Sequence, residues 1–373
     1  MKTLNKELLK EKIEFLAQSE LADNKMFGSS YCVYQDGETV YKNHFGYCDV
    51  QGKNPVNDKT MYRIASMTKP VTAAAVMKAV EKYGLSIEDK VSKFFPEFSK
   101  IHVITPEGED LGIVKNDITI KHLLTHTSGF GCLKPDNMKP CQYENRENTI
   151  KFFFDQGLSF EPFTKQAYSG YGAFEIVSAV MEKVTGCDFA EFVQKEILEP
   201  CKMVDTTFAP DEDKWSRMIT MHNKVDEKSV VGTTYEKCVF GYFPCHHTIA
   251  GAGLASTLGD YVNFAKMLLD DGYFEGYQVL SAQSVAMIRK PHVPIEFKPG
   301  NENWGLGVRV IVKEEYKRLP VGTYGWSGAY GSHFWVDPIN KICAVFMKNS
   351  RFDGGAGNRS AVAFEQVVFE SLM

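Results

Sequence analysis

Arg63-Ile64-Ala65-Ser66-Met67-Thr68-Lys69-Pro70, RIASMTKP, runs straight into the apolar stretch VTAAAVMKAV, residues 71–80. The run reads as a helix over residues 66–84, stopped at Gly84, with Pro70 in the first turns where a missing amide N–H costs little. Ser66 and Lys69 are three residues apart and so share one face of that helix. A serine hydroxyl is a poor nucleophile until a neighbouring base takes its proton. A lysine serves as that base only where burial and nearby positive charge or dipole disfavour its charged form. Ile64, Ala65, Met67, Val71 and Ala73 offer such burial, and the free N–H groups of a helix start suit a developing oxyanion. A serine–lysine pair on a helix is nevertheless more often a surface feature, so the rest of the chain has to decide.

The chain has 373 residues, 44% hydrophobic and 24% charged, with a net charge of −5. This is the balance of a globular protein with one large domain or two closely packed ones. The charge gives no electrostatic reason to expect a nucleic-acid partner. No segment approaches the roughly 20 apolar residues of a membrane span. Charges interrupt the first residues, MKTLNKELLKEKIEFLAQSE, so they do not read as a signal peptide. Leu4, Leu8, Ile13 and Leu16 instead give them one apolar helical face. The nine cysteines are scattered and include no Cys-x-x-Cys. Reduced thiols and a cytoplasmic location are expected. Cys238, Cys245, His246 and His247 fall close together but match no usual zinc spacing, and no metal site is assigned. The sequence carries no signal for an oligomeric state.

Asp36-Gly37 separates two β-rich runs and predicts a hairpin over 28–50. Residues 86–230 read as helices joined by long polar loops, including ITIKHLLTHTSG, GAFEIVSAVMEKVTG and AEFVQKEILEPCKM. One more helix, within LASTLGDYVNFAKMLLDDG, starts near Thr257 and stops at Gly272. WGLGVRVIVKEE, TYGWSGAYGSHFWVDP and KICAVFMKNS alternate like antiparallel strands, and a terminal helix follows. The expected fold class is α+β: a central antiparallel sheet flanked by helices, with a mostly helical insertion. The sheet part spans 1–85 and 231–373, the helical part 86–230, with an active site at their interface.

These phrases, in this order, resemble the serine β-lactamase and penicillin-binding-protein superfamily. Within it the chain is most similar to class C β-lactamases, the D-alanyl-D-alanine carboxypeptidases and aminopeptidases near them, and the related family VIII-like carboxylesterases. MYRIASMTKPVTAAAVMKAVEKYGLSIEDKVSKFFPEF resembles the nucleophile helix and the segment after it. ITIKHLLTHTSGF, the region from Tyr168 to Phe208, AGAGLASTLGDYVNFAKMLLDDG and GWSGAYGSHFWVDPINKICAVFMKN match later segments, so that the likeness covers most of residues 28–349. The resemblance implies a β-lactamase/transpeptidase-like fold. It implies Ser66 as the acylated nucleophile and Lys69 as an aid to proton removal. Tyr168 would be the motif tyrosine that relays the proton. The N–H groups of Ser66 and Ala329 would form the oxyanion hole. No metal or cofactor is implied.

Two departures bear on substrate. Gly170 stands where the family's Tyr-x-Asn motif has asparagine, which contacts the lysine and a substrate amide; glycine has no side chain to do either. Literal Tyr-x-Asn matches at Tyr41–Asn43, Tyr143–Asn145 and Tyr261–Asn263 lack the surrounding phrase, and only Tyr143–Asn145 falls between the other motifs. At Trp326-Ser327-Gly328 a tryptophan replaces the lysine that attracts a substrate carboxylate. Gly170, Trp326, Ser327 and Gly328 are thus expected to line the substrate. His122 and His126 have helical spacing without an intervening glutamate, so they do not read as a zinc site. His126 reads as a buried hydrogen-bonding residue. The 131–148 loop is a candidate lid.

A serine hydrolase acting on a small-molecule ester or amide fits these departures best. A β-lactamase, a D-alanyl-D-alanine carboxypeptidase or D-aminopeptidase, and a penicillin-binding protein with little turnover are the alternatives.

Overall fold

Asp36 and Gly37 both take positive φ, 44° and 93°, the geometry of a mirror-image turn whose twist matches the strands it joins. They link β1 (Gly28–Gln35) to β2 (Glu38–Gly46), the hairpin expected from the sequence. The computed structural model describes residues 1–130, 144–224, 230–233, 247–352, 356–357 and 359–373. Most of the candidate lid, with Tyr143, Cys238, Cys245 and His246, lies outside the described residues.

The hairpin joins five strands from the last third of the chain: β3 (Glu302–Trp304), β4 (Arg309–Ile311), β5 (Tyr324–Ser327), β6 (His333–Asp337) and β7 (Ile342–Lys348). The sheet order is β3-β4-β5-β6-β7-β1-β2. Each neighbouring pair is antiparallel, and β7 closes on β1 from Ser29 opposite Lys348 to Gln35 opposite Ile342. WGLGVRVIVKEE, read as one strand, is two strands. Gly305 and Gly307 break it: a Cβ on Gly305 would lie 2.1 Å from the Ile288 carbonyl oxygen, and Gly307 has φ +67°.

Side chains alternate across a strand. On β7, Ile342, Ala344 and Phe346 join one core cluster, while Cys343, Val345 and Met347 join the other. Both faces are therefore covered, which explains the unbroken apolar run. The first face packs α1 (Lys6–Ala22) and the terminal α6 (Arg359–Glu370), through Leu9, Ile13, Phe364 and Val368. The buried stripe of α1 is Leu9, Ile13, Ala17 and Glu20 rather than the set expected. Asn5 caps the helix by accepting from the Leu8 amide, so Leu4 falls before the first turn and bonds across to the C-terminus at Leu372.

The second face packs α5 (Leu258–Leu269); the same core cluster takes in α2 (Thr68–Tyr83) and α4 (Gly172–Thr185), which pack on each other, and α3 (Ile120–Leu124) abuts α4. α2 ends on Gly84 in the left-handed conformation that stops helices cleanly. Twelve consecutive residues of it, Thr68 to Ala79, are buried. Small alanines let its neighbours approach from every side, which makes α2 the axis of the molecule. Its N-terminus holds RIASMTKP.

Candidate active site

Ala65 has φ +43°, a left-handed conformation that alanine rarely adopts and that clusters where structure is held under constraint. It opens the short 3-10 turn Ala65–Met67 that precedes α2. The turn lifts Ser66 to the helix start, where the first N–H groups have no intrahelical partner. No pattern in the sequence announces this strain, because alanine is ordinary everywhere else.

Ser66 is 8% exposed and Lys69 is fully buried. Lys69 Nζ sits 3.3 Å from Ser66 Oγ and 2.9 Å from each of the carbonyl oxygens of Gly170 and Gly251. Three acceptors match the three protons of an ammonium group. Its charge also lies 5.1 Å from the Tyr168 ring centre and 5.0 Å from that of Phe174, where the ring faces attract a cation. The Tyr168 hydroxyl donates to Ser66 Oγ at 2.9 Å. Trp326 Nε1 reaches the Tyr168 oxygen at 3.4 Å. Ser66, Lys69, Tyr168 and Trp326 thus meet, although they lie up to 260 residues apart in the chain.

Gly170 modifies one expectation. Its missing side chain leaves Lys69 without the asparagine contact of the motif, yet its main-chain carbonyl accepts from the lysine. The space is real: a Cβ on Gly170 would have no neighbour nearer than Tyr168 Cε1, at 3.9 Å. Residue type was a poor guide here because every residue carries a carbonyl.

Gly328 is confined. A Cβ there would lie 2.3 Å from the Ile64 carbonyl oxygen and 2.4 Å from Ser332 Oγ. The turn after β5 therefore rests against the segment entering Ser66, and the side chain of Ala329 packs on the cluster of Ala65 and Tyr330. Ser327 does not join the group around Ser66. The pleat turns it to the other face of the sheet, where Oγ bonds His333 Nδ1 at 2.8 Å. Strand parity alone could have separated it from Trp326.

Three supports hold this group, and the sequence singles out only His126 among them. His126 holds both neighbours of Tyr168: its carbonyl accepts from the Ala167 amide at 3.0 Å and its Nδ1 from the Ser169 amide at 3.1 Å. Burial, then the Lys69 charge, pushes its pKa well down and keeps it neutral. Its ring also contacts those of Tyr168 and Trp304. The buried hydrogen-bonding role expected of His126 is what the structure shows. Trp304 is 3% exposed; it stacks on Tyr168 at 19° and meets Trp326 at 4.5 Å between ring centres. Gly307, three residues past β3, lies against the Lys69 carbonyl. Glu175 on α4 accepts from the Ala250 amide at 2.9 Å, and Thr72 donates to the Ala250 carbonyl at 2.6 Å. Together they pin the loop that offers the Gly251 oxygen to Lys69. The Glu175 carboxylate is also met by His247 and Arg146.

The other Tyr-x-Asn matches do different work. The Tyr261 hydroxyl donates to the Met67 carbonyl beneath the nucleophile turn, and Tyr41 lies on β2. His122 completes a capping box with Thr119 at the start of α3. Among the described residues, no three His, Cys, Asp or Glu side chains group as a metal site, and no helix is long and apolar enough to cross a membrane.

The Beta-lactamase family profile matches residues 13–366. The chain belongs to the Beta-lactamase family. Among its relatives, the protein Rv1367c of Mycobacterium tuberculosis is 28% identical over 349 residues, covering 86% of this chain and 85% of that one. The esterase EstB of Burkholderia gladioli is 23% identical over 380 residues, covering 94% and 92%. The lovastatin esterase of Penicillium rubens is 28% identical over 371 residues, covering 88% and 90%. Among solved structures, EstCE1, described as a hydrolase with promiscuous acyltransferase activity, superposes with a TM-score of 0.82 at 22% identity over 98% of this chain and 99% of its own. The fold is the β-lactamase/transpeptidase-like fold, and this member of the Beta-lactamase family is a serine hydrolase.

Proposed function

We propose that the chain hydrolyses esters or small amides through an acyl-enzyme on Ser66. The observation that carries this reading is the convergence of Tyr168 Oη and Lys69 Nζ on one serine oxygen, at 2.9 and 3.3 Å. In the attacking form the Lys69–Tyr168 pair has lost one proton, so Ser66 donates to it; the serine proton passes to the pair as Oγ attacks the substrate carbonyl. The tetrahedral oxyanion is held by the N–H groups of Ser66 and Ala329. The pair returns the proton to the leaving alcohol or amine, and water then attacks the acyl-enzyme by the reverse route. No step needs a metal or cofactor.

The ester preference is supported by what faces Tyr168. Trp326 and Trp304 form an aromatic wall, where a lysine would draw a carboxylate. The names of EstB and the lovastatin esterase point the same way. The reading keeps the division into a sheet part, 1–85 and 231–373, and a helical part, 86–230. It is supported by Ser66, Gly251 and Trp326 coming from the first and Tyr168 and Gly170 from the second. It also keeps a cytoplasmic location, with Cys32, Cys48, Cys187, Cys201 and Cys343 as free thiols.

The test is turnover of p-nitrophenyl acetate, p-nitroacetanilide and nitrocefin by the wild type and Ser66→Ala. Ester turnover lost in Ser66→Ala supports the reading. Nitrocefin turnover faster than ester turnover makes the chain a β-lactamase instead. A stable penicillin adduct without any turnover makes it a penicillin-binding protein.

A further inference from the structure

Behind the site, on the α6 face of the sheet, lies a second chain of polar side chains. Ser327 Oγ is 2.8 Å from His333 Nδ1, and His333 Nε2 is 3.0 Å from Glu365 Oε1. All three are buried, with Ser327 5% exposed and His333 and Glu365 1% each. Glu365 takes further bonds from Arg309 Nη2 at 2.6 Å, the Tyr316 hydroxyl at 2.9 Å and Arg318 Nε at 3.2 Å. A carboxylate with four donors is held ionised and fixed in orientation.

That arrangement sets the direction of every bond in the chain. An ionised carboxylate only accepts, so His333 donates from Nε2. The neutral ring then has an acceptor at Nδ1, and the Ser327 hydroxyl donates to it. Burial and the Arg309 charge favour the neutral ring, against Glu365 and the Trp326 carbonyl, which favour the charged one.

Ser327 and His333 are a cross-strand pair at the mouth of the turn that joins β5 to β6. The turn is narrow: the Gly328 amide donates to the Ser332 carbonyl at 2.8 Å, and Gly331 to Gly328 at 3.0 Å. One residue before Ser327, Trp326 reaches Tyr168; two residues after it, Ala329 carries the amide assigned to the oxyanion. We infer that Ser327, His333 and Glu365 form a positioning relay, which clamps the base of this turn and so fixes where the Ala329 amide and the Trp326 ring stand relative to Ser66. The relay rests on the acyl-enzyme reading above. It makes Ser327 a positioning residue turned away from the substrate, and neither a second nucleophile nor a carboxylate ligand.

A clamp of this kind acts on the transition state more than on substrate binding, because the oxyanion forms only after attack. Ser327→Ala is therefore expected to lower kcat on p-nitrophenyl acetate by about tenfold, with KM changed by less than about twofold. Ser327→Thr keeps the hydroxyl, and Ser327 lines a cavity of about 310 Å³ together with Trp326, His333 and Glu365. This variant is expected to recover kcat to within about threefold of wild type. His333→Gln, which breaks the bond to Ser327 from the other side, is expected to repeat the Ser327→Ala loss. Melting curves accompany each variant, so that kcat is compared among folded proteins.

Wild-type kcat in folded Ser327→Ala or His333→Gln overturns the relay, as does a loss confined to KM. Failure of the relay is distinguishable from failure of the acyl-enzyme reading. If Ser66→Ala retains ester turnover, the nucleophile is wrong. If turnover needs Ser66 but ignores Ser327, only the relay falls.

Discussion

Lys69 Nζ lies 2.9 Å from the Gly170 carbonyl oxygen, so the main chain supplies a contact that the family's motif takes from an asparagine side chain. A side chain added at Gly170 would meet open space and leave that bond in place. Gly170→Asn is expected to fold with a melting temperature within about 2 °C of wild type and to keep ester turnover within about threefold. Because asparagine adds a partner for a substrate amide, the ratio of p-nitroacetanilide to p-nitrophenyl acetate turnover should rise. A large loss of ester turnover would show that the open space serves the substrate.

Tyr168 is held by stacking on Trp304 and by its neighbours' bonds to His126, and its hydroxyl is not what places it. Tyr168→Phe should therefore fold normally and lose about 10²- to 10⁴-fold in kcat, the range for removal of a proton-transfer group. Trp326→Phe keeps most of the ring contact and loses only a 3.4 Å bond; its kcat should fall by less than about fivefold. Equal losses in the two variants would assign Tyr168 to packing.

His126 has φ +58°, a conformation asparagine tolerates better than alanine. His126→Ala loses the acceptor for the Ser169 amide and the ring against Tyr168. It is expected to lower kcat by about 10- to 100-fold and to be destabilised by about 2–4 kcal/mol. His126→Asn should be the milder of the two in a melting experiment, because its backbone is less strained.

Acid should weaken the fold through two buried histidines. Burial pushes His122 and His222 down to about 4, whereas the same side chains charge near 6.5 in the unfolded chain. Between those values the unfolded state binds more protons, so this stability is present above pH 6.5 and is lost as pH falls toward 4. The loss is up to about 3 kcal/mol for each histidine. Denaturant midpoints at pH 7 and pH 4.5 measure it. His122→Gln can keep the capping box with Thr119 while removing the titration, and its midpoint should fall less between the two pH values.

The hairpin at Asp36-Gly37, the α2 helix with its Gly84 stop and the terminal β-rich third were all legible, because turn chemistry and hydrophobic period are local. That Ser66, Lys69, Tyr168 and Trp326 come together was legible through the order of the surrounding phrases. What stayed hidden was set by tertiary contact. The Gly170 carbonyl, the strained Ala65, the reach of Trp304 past the Gly305–Gly307 turn and the Glu175 tether to Ala250 leave no mark in residue type or period. Ser327 lies between these cases: its motif position suggested substrate, and the pleat of its own strand pointed it toward Glu365.

Acylation of the enzyme on Ser66 underlies every step proposed for the site. Treatment with a fluorophosphonate, followed by intact mass and peptide mapping, tests it most directly. A single adduct is expected on the peptide containing Ser66, absent in Ser66→Ala and formed far more slowly in Tyr168→Phe. An unlabelled active protein, or an adduct on any other serine, would contradict it.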